Sequence, residues 1–436
     1  MKTITLTIIF LLSSQVYSQM LTPEQVKGDL DTVISALSDI HPTFNTSNSG
    51  KNLLAIRDTL ETSMTSHDLF RMLQPLVALD GHTTLQFTGK VDPEVSNPLL
   101  PFEAIVYENR LYVKNNLSEN TALKKGTEII SINGKKVRDI LMEMLPYLPG
   151  ERIENKIRKL HNNAFPNWYR LVYGNFEHFE IELASPNGMM TTLVEGAHWK
   201  QFPRHEEVFL KLSLTEPGIA YLKVGRFRRP DAFLHYIDSS FTEIQNRQIE
   251  HLIIDVTEGG GFSDLADSLF SYITENPYCK FKNKKIRISR KTNDFIDGLK
   301  EEGEQKGSYF VLSGKPEAPV KRSNRFSGKV YILTGPETYS TSTLFAAMAK
   351  CYSDAVIVGE ETGMPLISNG DISREKLIHS GMNLYTSMSV YYLPCAENEQ
   401  EGVKPDIEVK MTLEDLLNSK NSYLEYTIDS IRNLPF

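Results

Sequence analysis

The stretch VYILTGPETYSTSTLF, residues 330–345, leads from an apolar run through a tight turn into a helix. Residues 330–333 predict a buried strand, Gly335-Pro336 predicts a turn, and hydroxyl residues before an alanine-rich segment predict a helix start. Such a strand–turn–helix directs free backbone N–H groups and the positive end of the helix dipole at an anion formed near the turn. This arrangement suits a serine nucleophile, whose tetrahedral intermediate carries an oxyanion. The alternative is that Ser340 or Ser342 only caps the helix.

Strand-like and helical segments alternate on both sides of this stretch. The predicted strands are 219–224, 251–256, 330–333 and 355–358, and the predicted helices are 241–248, 265–273 and 343–350. This alternation is typical of an α/β architecture. A basic, poorly patterned connection separates the second helix from the third strand. Its run 280–291 holds seven Lys or Arg in twelve residues, which indicates a solvated strand face, with a polyanion site as the alternative.

Three glycines follow the predicted strand at 251–256. Gly259, Gly260 and Gly261 let the backbone approach a ligand closely and favour an anion nest for a phosphate or an oxyanion. Phosphate is the weaker option because no Lys-Ser/Thr pair follows and the glycine spacing is not that of a dinucleotide-binding loop. A tight strand–helix turn is the alternative interpretation.

The N-terminal region has apolar residues at helical spacing and closes on Asp80-Gly81-His82. Thr22 followed by Pro23 predicts the first helix start. Glycine breaks the last helix before a short alternating segment, 85–87, so His82 is free to project into a cleft. A neutral imidazole there suits a general base near pH 7, and a structural histidine is the alternative. No His or Cys spacing typical of a zinc site occurs, so we expect no metal and no cofactor.

Between these regions the sequence has the period of strands. Segments 102–106 and 111–113 predict a hairpin around Glu108-Asn109, and GTEIISING at 126–134 alternates before an Asn-Gly turn. The latter segment, with the apolar helix predicted at 140–145, resembles a PDZ domain, and a generic β-rich unit is the alternative. A further hairpin is predicted from 179–183 and 191–194 around Pro186-Asn187-Gly188.

Composition predicts a folded, multi-domain protein. The chain has 436 residues, a net charge of −8, 23% charged and 40% hydrophobic residues, which excludes a disordered chain. At roughly 100–200 residues per domain, two to four folding units are expected. The mild acidity argues against nucleic acid or an anionic membrane as partner.

The first eighteen residues have the outline of a secretory signal peptide, with Lys2, an apolar stretch at 4–12 and a small-residue site at 16–18. No later apolar run reaches the roughly 20 residues that span a membrane. We therefore expect a cleaved, exported product, periplasmic or extracellular. The three cysteines, Cys279, Cys351 and Cys395, allow at most one pair, and we expect incidental core thiols.

Taken together, several of these segments resemble the C-terminal processing peptidases, a family of serine peptidases. They are GKVYILTGPETYSTS at 328–342, the strand 355–359 with EETG at 360–363, Asp255 with its glycine loop, and GVKPDI at 402–407. DGHT at 80–83 is similar to the branch of the tricorn protease and the interphotoreceptor retinoid-binding proteins. The resemblance implies a helical cap at 19–92, a PDZ-like domain at 93–196 and a crotonase-like (ClpP/crotonase) α/β core at 197–436.

The resemblance also implies a set of catalytic residues. The family nucleophile is the first Ser of a Ser-x-Ser, here Ser340, with Ser342 as second choice. The lysine base of the processing branch would fall at Pro365, so a Ser-Lys dyad is disfavoured, and His82 matches the base of the tricorn branch. Glu397 is the best match to the glutamate that orients this histidine, with Glu399 and Glu401 as rivals.

The implied oxyanion hole combines the N–H of Thr341 with that of Gly260 or Gly261. The family loop usually reads Asp-x-Arg-x-Asn-x-Gly-Gly, whereas Thr257, Gly259 and Phe262 replace its Arg, its Asn and its last Gly. The tricorn branch also carries a serine directly before the histidine. Gly81 stands there, so that member of the relay is missing or supplied from elsewhere.

The sequence thus predicts an exported serine peptidase that hydrolyses peptide bonds with a Ser nucleophile, a His base and a Glu orienting group. A non-catalytic ligand- or peptide-binding protein on the same scaffold is the alternative, because a fold alone does not fix a function. The substrate is a peptide or protein of unspecified sequence. The pattern predicts no oligomeric state.

Overall fold

The computed structural model describes residues 20–88, 98–185, 188–204, 208–261 and 263–433. The predicted signal peptide, the turn residues Pro186 and Asn187, and Phe262 lie outside the described residues. The predicted boundary between cap and PDZ-like unit also falls in an undescribed segment.

The N-terminal part is mainly helical. Its elements are β1 (Met20–Leu21), α1 (Pro23–Ile40), α2 (Asn48–Thr59), β2 (Met64–Thr65), α3 (Ser66–Val77) and β3 (Thr84–Phe87). The Thr22 hydroxyl accepts from the N–H of Gln25, and the Gln25 side chain returns a bond to Thr22, so the predicted helix start is confirmed. Thr65 and Asp68 cap α3 in the same way. The apolar stripe of α1, including Val26, Leu30 and Val33, is completely buried.

The middle part is a β-rich unit with its own core. Its elements are β4 (Phe102–Tyr107), β5 (Arg110–Asn116), β6 (Glu128–Ile132), β7 (Lys135–Lys136), α4 (Val137–Met144), α5 (Ile153–Arg158), α6 (Ala164–Tyr173), β8 (His178–Ser185) and β9 (Gly188–Glu195). The antiparallel sheet has the order β4-β5-β6-β8-β9, with β7 paired to β6. Glu108 and Asn109 both have positive φ, 48° and 59°, which is the turn geometry predicted for the first hairpin.

The C-terminal part contains two sheets. Its elements are β10 (Leu210–Glu216), β11 (Ile219–Val224), α7 (Pro230–Asn246), β12 (His251–Asp255), α8 (Ser263–Phe270), β13 (Asn283–Arg287), α9 (Asn293–Asp297), β14 (Gly303–Lys306), β15 (Tyr309–Ser313), β16 (Lys329–Thr334), α10 (Thr341–Tyr352), β17 (Val356–Gly359), β18 (Ile367–Lys376), β19 (Met382–Tyr392), β20 (Ile407–Glu408), α11 (Leu413–Asn418) and α12 (Ser422–Arg432).

The first of these sheets has the order β10-β11-β12-β16-β17-β20 and is parallel from β11 to β20. Helices α7, α8 and α10 cover one face, where Phe233, Leu269 and Phe345 join the core. Helix α12 covers the other face with Tyr423 and Ile431. The predicted mixed α/β architecture is confirmed, because the sheet is buried between helical layers as its continuous apolar runs require.

The second sheet was not predicted. It has the order β14-β15-β13-β19-β18, all antiparallel, and β3 from the N-terminal part pairs with β19. The basic run contributes β13, so its interpretation as a strand is confirmed. Lys284 of that strand is buried and forms an ion pair with Asp371 of β18 at 2.7 Å.

Two of the three cysteines are paired. Cys351 and Cys395 form a disulfide with a Cα–Cα distance of 6.1 Å, while Cys279 is free and half-buried. The expectation of three incidental core thiols was therefore wrong for two of them. Among the described helices, none combines the length and apolar character that crossing a membrane requires.

Candidate active site

Ser340 lies in the turn between β16 and α10, as the strand–turn–helix pattern predicts. It has φ 54° and ψ −124°, a backbone region that non-glycine residues rarely adopt and that costs about 1–3 kcal/mol. Although it occupies the N-cap position of α10, its side chain makes no capping hydrogen bond. Its backbone N–H donates to Sδ of Met364 at 3.2 Å. The hydroxyl is thus held by a strained backbone at the helix start without serving as a cap.

Ser342 has a different environment. Its side chain is fully buried, and its hydroxyl donates to the carbonyl of Glu258 at 3.2 Å. This bond ties the start of α10 to the glycine loop that follows β12. The geometry therefore favours Ser340 over Ser342 as the residue open to a substrate.

His82 is placed by the pairing of β3 with β19. Thr84 lies opposite Tyr385 and Leu85 opposite Leu384, so the two residues before β3 are brought beside the second sheet. Two backbone N–H groups, those of His82 and Thr83, each donate to Oδ1 of Asp80 at 2.7 Å. The glycine-broken helix end is therefore a fixed loop.

Asp80 is completely buried and holds this loop through its second oxygen as well. Its Oδ2 accepts from His41 Nε2 at 2.9 Å, from the Thr83 hydroxyl at 3.0 Å and from Asn369 Nδ2 at 3.0 Å. Burial alone would raise the pKa of Asp80, but the hydrogen bond and charge of His41, with the charge that His82 carries when it is protonated at acidic pH, hold the pKa well below its usual range. Asp80 is therefore ionised throughout the neutral range.

His82 and Ser340 line one cavity of about 370 Å³. Its other walls come from α10, the 363–366 connection and the second sheet, and include Leu344, Met364, Asn369, Asp371, Tyr391 and Leu393. Within the described residues no hydrogen bond joins the Ser340 hydroxyl to the imidazole. Burial lowers the pKa of His82, against the opposing charge of Asp80, so the ring is neutral at pH 7. The cavity thus brings together a neutral imidazole, which is chemically able to accept a proton, and an uncapped serine hydroxyl.

The glycine loop runs directly beside Ser340. A Cβ on Gly260 would lie 3.0 Å from the Cβ of Ser340, and a Cβ on Gly261, at φ 145°, would lie 1.9 Å from the carbonyl oxygen of Phe227. The Thr341 hydroxyl donates to the carbonyl of Gly261 at 2.6 Å. These contacts bring the backbones of Thr341, Gly260 and Gly261 close to Ser340. No bond among the described residues uses their N–H groups, so all three are available to an oxyanion.

Thr257, which departs from the family pattern, has a structural role in this loop. Both its N–H and its hydroxyl donate to Oδ1 of Asp255, at 2.9 and 2.6 Å. Tyr221 and Asn421 donate to the other oxygen of Asp255. The start of the loop is thereby fixed without the usual Arg.

Glu397 is not brought to this site. Its side chain is exposed in the segment after β19 and is not among the residues that line the cavity, and Glu399 and Glu401 are exposed or half-buried beside it. Its orienting role stays a prediction. Within the described residues no group of three His, Cys, Asp or Glu side chains is arranged to hold a metal ion.

Sequence reasoning missed two parts of the site. Asn369 and Asp371, on β18, form a wall of the cavity, but their strand has mostly polar residues and carries no clear strand signal. Glu151 and Tyr339 form a short hydrogen bond beside His82. Tyr339 lies within residues 330–345, and its position directly before Ser340 is the only signal in the sequence that could have identified it.

Three comparisons with known proteins bear on this geometry. Residues 218–409 match the model of peptidase family S41. A structure of mature CPAF is similar over 94% of this chain and 97% of its own, with 15% identity and a TM-score of 0.68. Mature CPAF complexed with lactacystin is similar over the same shares of both chains, with 14% identity and a TM-score of 0.65.

A more distant likeness is the photosystem II D1 C-terminal processing protease, with 14% identity, 91% of this chain, 97% of its own and a TM-score of 0.45. No curated protein matches the sequence. At such low identity the CPAF likeness shows a shared fold. The family match covers the segment that holds both Ser340 and the glycine loop.

Proposed function

We propose that this chain, a serine peptidase that belongs to peptidase family S41, hydrolyses peptide bonds with Ser340 as nucleophile and His82 as general base. One observation carries the proposal: an uncapped serine in a strained turn and a neutral, buried imidazole from a distant part of the chain line one cavity. Backbone strain at a functional group and a shifted pKa in a cleft are both typical of catalytic sites.

The chemistry follows from the placement of these groups. His82 takes the proton from the Ser340 hydroxyl as Oγ attacks the carbonyl carbon, and later gives it to the leaving amine. The N–H of Thr341, together with that of Gly260 or Gly261, stabilises the negative oxygen of the tetrahedral intermediate. Water then hydrolyses the acyl-enzyme by the same route. Because His82 and Ser340 are not hydrogen-bonded in this structure, we infer that substrate binding closes the gap between them.

The shape of the cavity favours an extended peptide with an apolar side chain. Leu344, Met364 and Leu393 supply an apolar wall beside Ser340. The middle part, which we interpret as a PDZ-like unit on a crotonase-like core, offers sheet edges for capture of an extended peptide by strand addition. Export is supported by the Cys351–Cys395 disulfide, because such bonds persist in oxidising compartments.

A fluorophosphonate probe tests the proposal directly. We expect labelling of the wild-type protein at Ser340, loss of labelling and of peptide hydrolysis in Ser340→Ala, and retention of both in Ser342→Ala. Removal of a triad member costs several orders of magnitude in rate. Unchanged hydrolysis in Ser340→Ala would refute the assignment, and absence of labelling and turnover in the wild type would favour a binding protein on this scaffold.

A further inference from the structure

Tyr339, the residue before Ser340, contacts both members of the proposed catalytic pair. Its ring centroid lies 5.3 Å from that of His82. An added Cβ on Gly81 would lie 1.8 Å from the Tyr339 hydroxyl oxygen, so the phenol packs directly on the backbone that carries His82. The hydroxyl donates a short hydrogen bond to Oε2 of Glu151. Glu151 is thus linked to the serine and the histidine through one side chain.

His82, Tyr339 and Glu151 form a cluster, and two of its buried polar atoms have no hydrogen-bond partner among the described residues. They are Nδ1 of His82 and Oε1 of Glu151. An unsatisfied buried polar group costs about 1–3 kcal/mol. Such groups are rare in folded proteins, and two in one cluster beside a nucleophile indicate a functional role.

Asp80, the carboxylate nearest to His82 along the chain, adds negative charge near the ring but offers the ring no hydrogen bond. Its two oxygens already accept five hydrogen bonds, from the backbones of His82 and Thr83, from the Thr83 hydroxyl, from His41 and from Asn369. None of these bonds comes from the His82 ring. Glu151 is the carboxyl group in this cluster that keeps a free oxygen.

The loop that carries Glu151 is fixed by hydrogen bonds to the two residues that precede it. The N–H of Gly150 donates to the carbonyl of Asp80 at 3.1 Å, and Nζ of Lys159 donates to the carbonyl of Pro149 at 2.7 Å. The same Nζ lies 5.0 Å from the centroid of the Tyr339 ring. The position of Glu151 relative to Tyr339 is therefore set by the loop on one side and by a cation on the other.

We propose that Glu151 is a positioning residue for His82: through the Tyr339 hydroxyl, its carboxylate holds the phenol against Gly81 and supplies negative charge when His82 carries the proton taken from Ser340. This inference rests on the proposed function of Ser340 and His82. The proton travels from Ser340 Oγ to His82 and then to the leaving amine, and neither Tyr339 nor Glu151 gives or takes one. Desolvation and the charge of Lys159 disfavour the buried imidazolium, so a carboxylate at Glu151 would add to the stabilisation that Asp80 and Asp371 give it.

The ionisation of Glu151 agrees with this role. Burial, with the nearby charge of Asp80, raises the pKa of Glu151 to about 7, while the Tyr339 hydrogen bond and the charge of Lys159 oppose the rise. Lys156 is the other charged group that interacts with Glu151. Glu151 is therefore mostly ionised only above pH 7, whereas burial lowers the pKa of His82. Full activity should then require the loss of two protons as pH rises: loss of the His82 proton makes the base available, and loss of the Glu151 proton raises the rate by a further factor of about ten.

The pH profile of kcat/KM tests this coupling. For the wild type we expect the acid limb set by His82 to carry an additional step of about tenfold near pH 7, where Glu151 titrates, and for Glu151→Gln a single limb of slope one without that step. Since glutamine keeps an acceptor for the Tyr339 hydroxyl, the fold is preserved while the charge is lost. At pH 8 we expect a fall in kcat of roughly tenfold, equivalent to one pKa unit, with KM within about twofold. Tyr339→Phe should cost a similar factor, and the double variant no more than either alone.

Glu154→Gln is the matched control. Its side chain is 52% exposed and lies only three residues from Glu151, so its profile should be that of the wild type. A pH profile of the same shape in the wild type and Glu151→Gln, with no tenfold step near pH 7 in the wild type, or fully additive losses in the double variant, would overturn the proposal. If Ser340→Ala retains turnover, the proposed function itself fails, which is a different result.

A titration of the His82 imidazole in inactive protein distinguishes failure of the coupling between Glu151 and His82 from failure of the proposed function. In ¹³C,¹⁵N-histidine-labelled Ser340→Ala protein, the His82 resonance is identified by its absence after His82→Gln. The anionic carboxylate should stabilise the imidazolium, so adding Glu151→Gln should lower the His82 pKa and adding Glu154→Gln should leave it unchanged. An unchanged or raised His82 pKa in the Glu151→Gln protein would refute the coupling whether or not the enzyme is active.

Discussion

The hydroxyl of Tyr339 occupies the space that any side chain on Gly81 would need. An added Cβ would lie 1.8 Å from the hydroxyl oxygen and 2.2 Å from Cζ of the ring. The serine that stands before the histidine in the tricorn branch therefore has no room here. The phenol of Tyr339, the residue before Ser340, fills that space instead.

Gly81→Ala should consequently damage both stability and activity. The contact is far inside van der Waals distance and the backbone φ of Gly81 is not positive, so the cost comes from overpacking alone, about 1–3 kcal/mol. Because the displaced groups adjoin His82 and Ser340, kcat should fall more than about tenfold, as small misplacements of reacting groups do. Thermal unfolding and initial rates measure the two effects.

The control is Gly298→Ala, where the nearest atom to an added Cβ is 3.6 Å away. This change should leave unfolding and turnover unaltered. In a Tyr339→Ala background, Gly81→Ala should no longer destabilise the protein. A persistent cost in that background would show that the phenol is not the obstacle.

Asp80→Asn should destabilise the protein strongly near neutral pH. The folded-state pKa of Asp80 is lowered by His41 and His82 despite its burial, so its stabilisation is complete above the unfolded pKa and is lost as pH falls through the folded pKa. Loss of one partner from a buried charge pair costs about 3–5 kcal/mol. Denaturant unfolding at pH 7 should show this loss, and the gap to the wild type should narrow below about pH 4, where the unfolded chain becomes protonated.

Asp58→Asn, at a mostly exposed site, is the comparison for Asp80→Asn. It should change stability by less than about 0.5 kcal/mol at either pH. A difference between Asp80→Asn and the wild type that stays constant from pH 7 to pH 3 would contradict the charge network described for Asp80.

The Cys351–Cys395 disulfide should stabilise the C-terminal part. It links residues 44 positions apart, and closing a loop of that size is worth roughly 3–4 kcal/mol in the chain-entropy model. We therefore expect the double variant Cys351→Ser/Cys395→Ser, or reduction of the wild type, to lower the melting temperature. Cys279→Ser should leave the effect of a reductant intact, and insensitivity of the wild type to reductant would refute the pairing.

Local signals in the sequence were sufficient to predict the elements that carry the nucleophile and the base. The turn at Ser340 follows from Gly335-Pro336 and a buried strand within a dozen residues, and the loop at His82 follows from one glycine. Long-range contacts were not predictable in this way. Strand β18 has polar residues on both faces. Its sequence therefore lacks the alternation of apolar and polar residues that would have predicted its pairing with β19 or the cavity wall formed by Asn369 and Asp371.

The Glu151–Tyr339 contact was even less accessible to sequence reasoning. It depends on the absence of a Cβ at Gly81 and on three segments that meet only in the folded protein. The family pattern instead directed attention to Glu397, which follows a recognisable motif order. A motif gives an order along the chain, whereas a carboxyl group can orient His82 only if it lies close to the ring, or to a group that contacts the ring, in the folded protein.

Substitutions of Glu151 and of Glu397 are expected to differ in their effect on activity. Glu397 is exposed and does not line the cavity, so Glu397→Gln should keep kcat and KM within about twofold of the wild type, as surface substitutions away from a site do. Glu399→Gln and Glu401→Gln should behave in the same way, although Glu401 pairs with Lys404. Initial rates on one peptide substrate at pH 8 compare the three variants with Glu151→Gln. A loss of a hundredfold or more in Glu397→Gln alone would mean that its segment folds over His82 when substrate binds, and would assign the orienting role to Glu397.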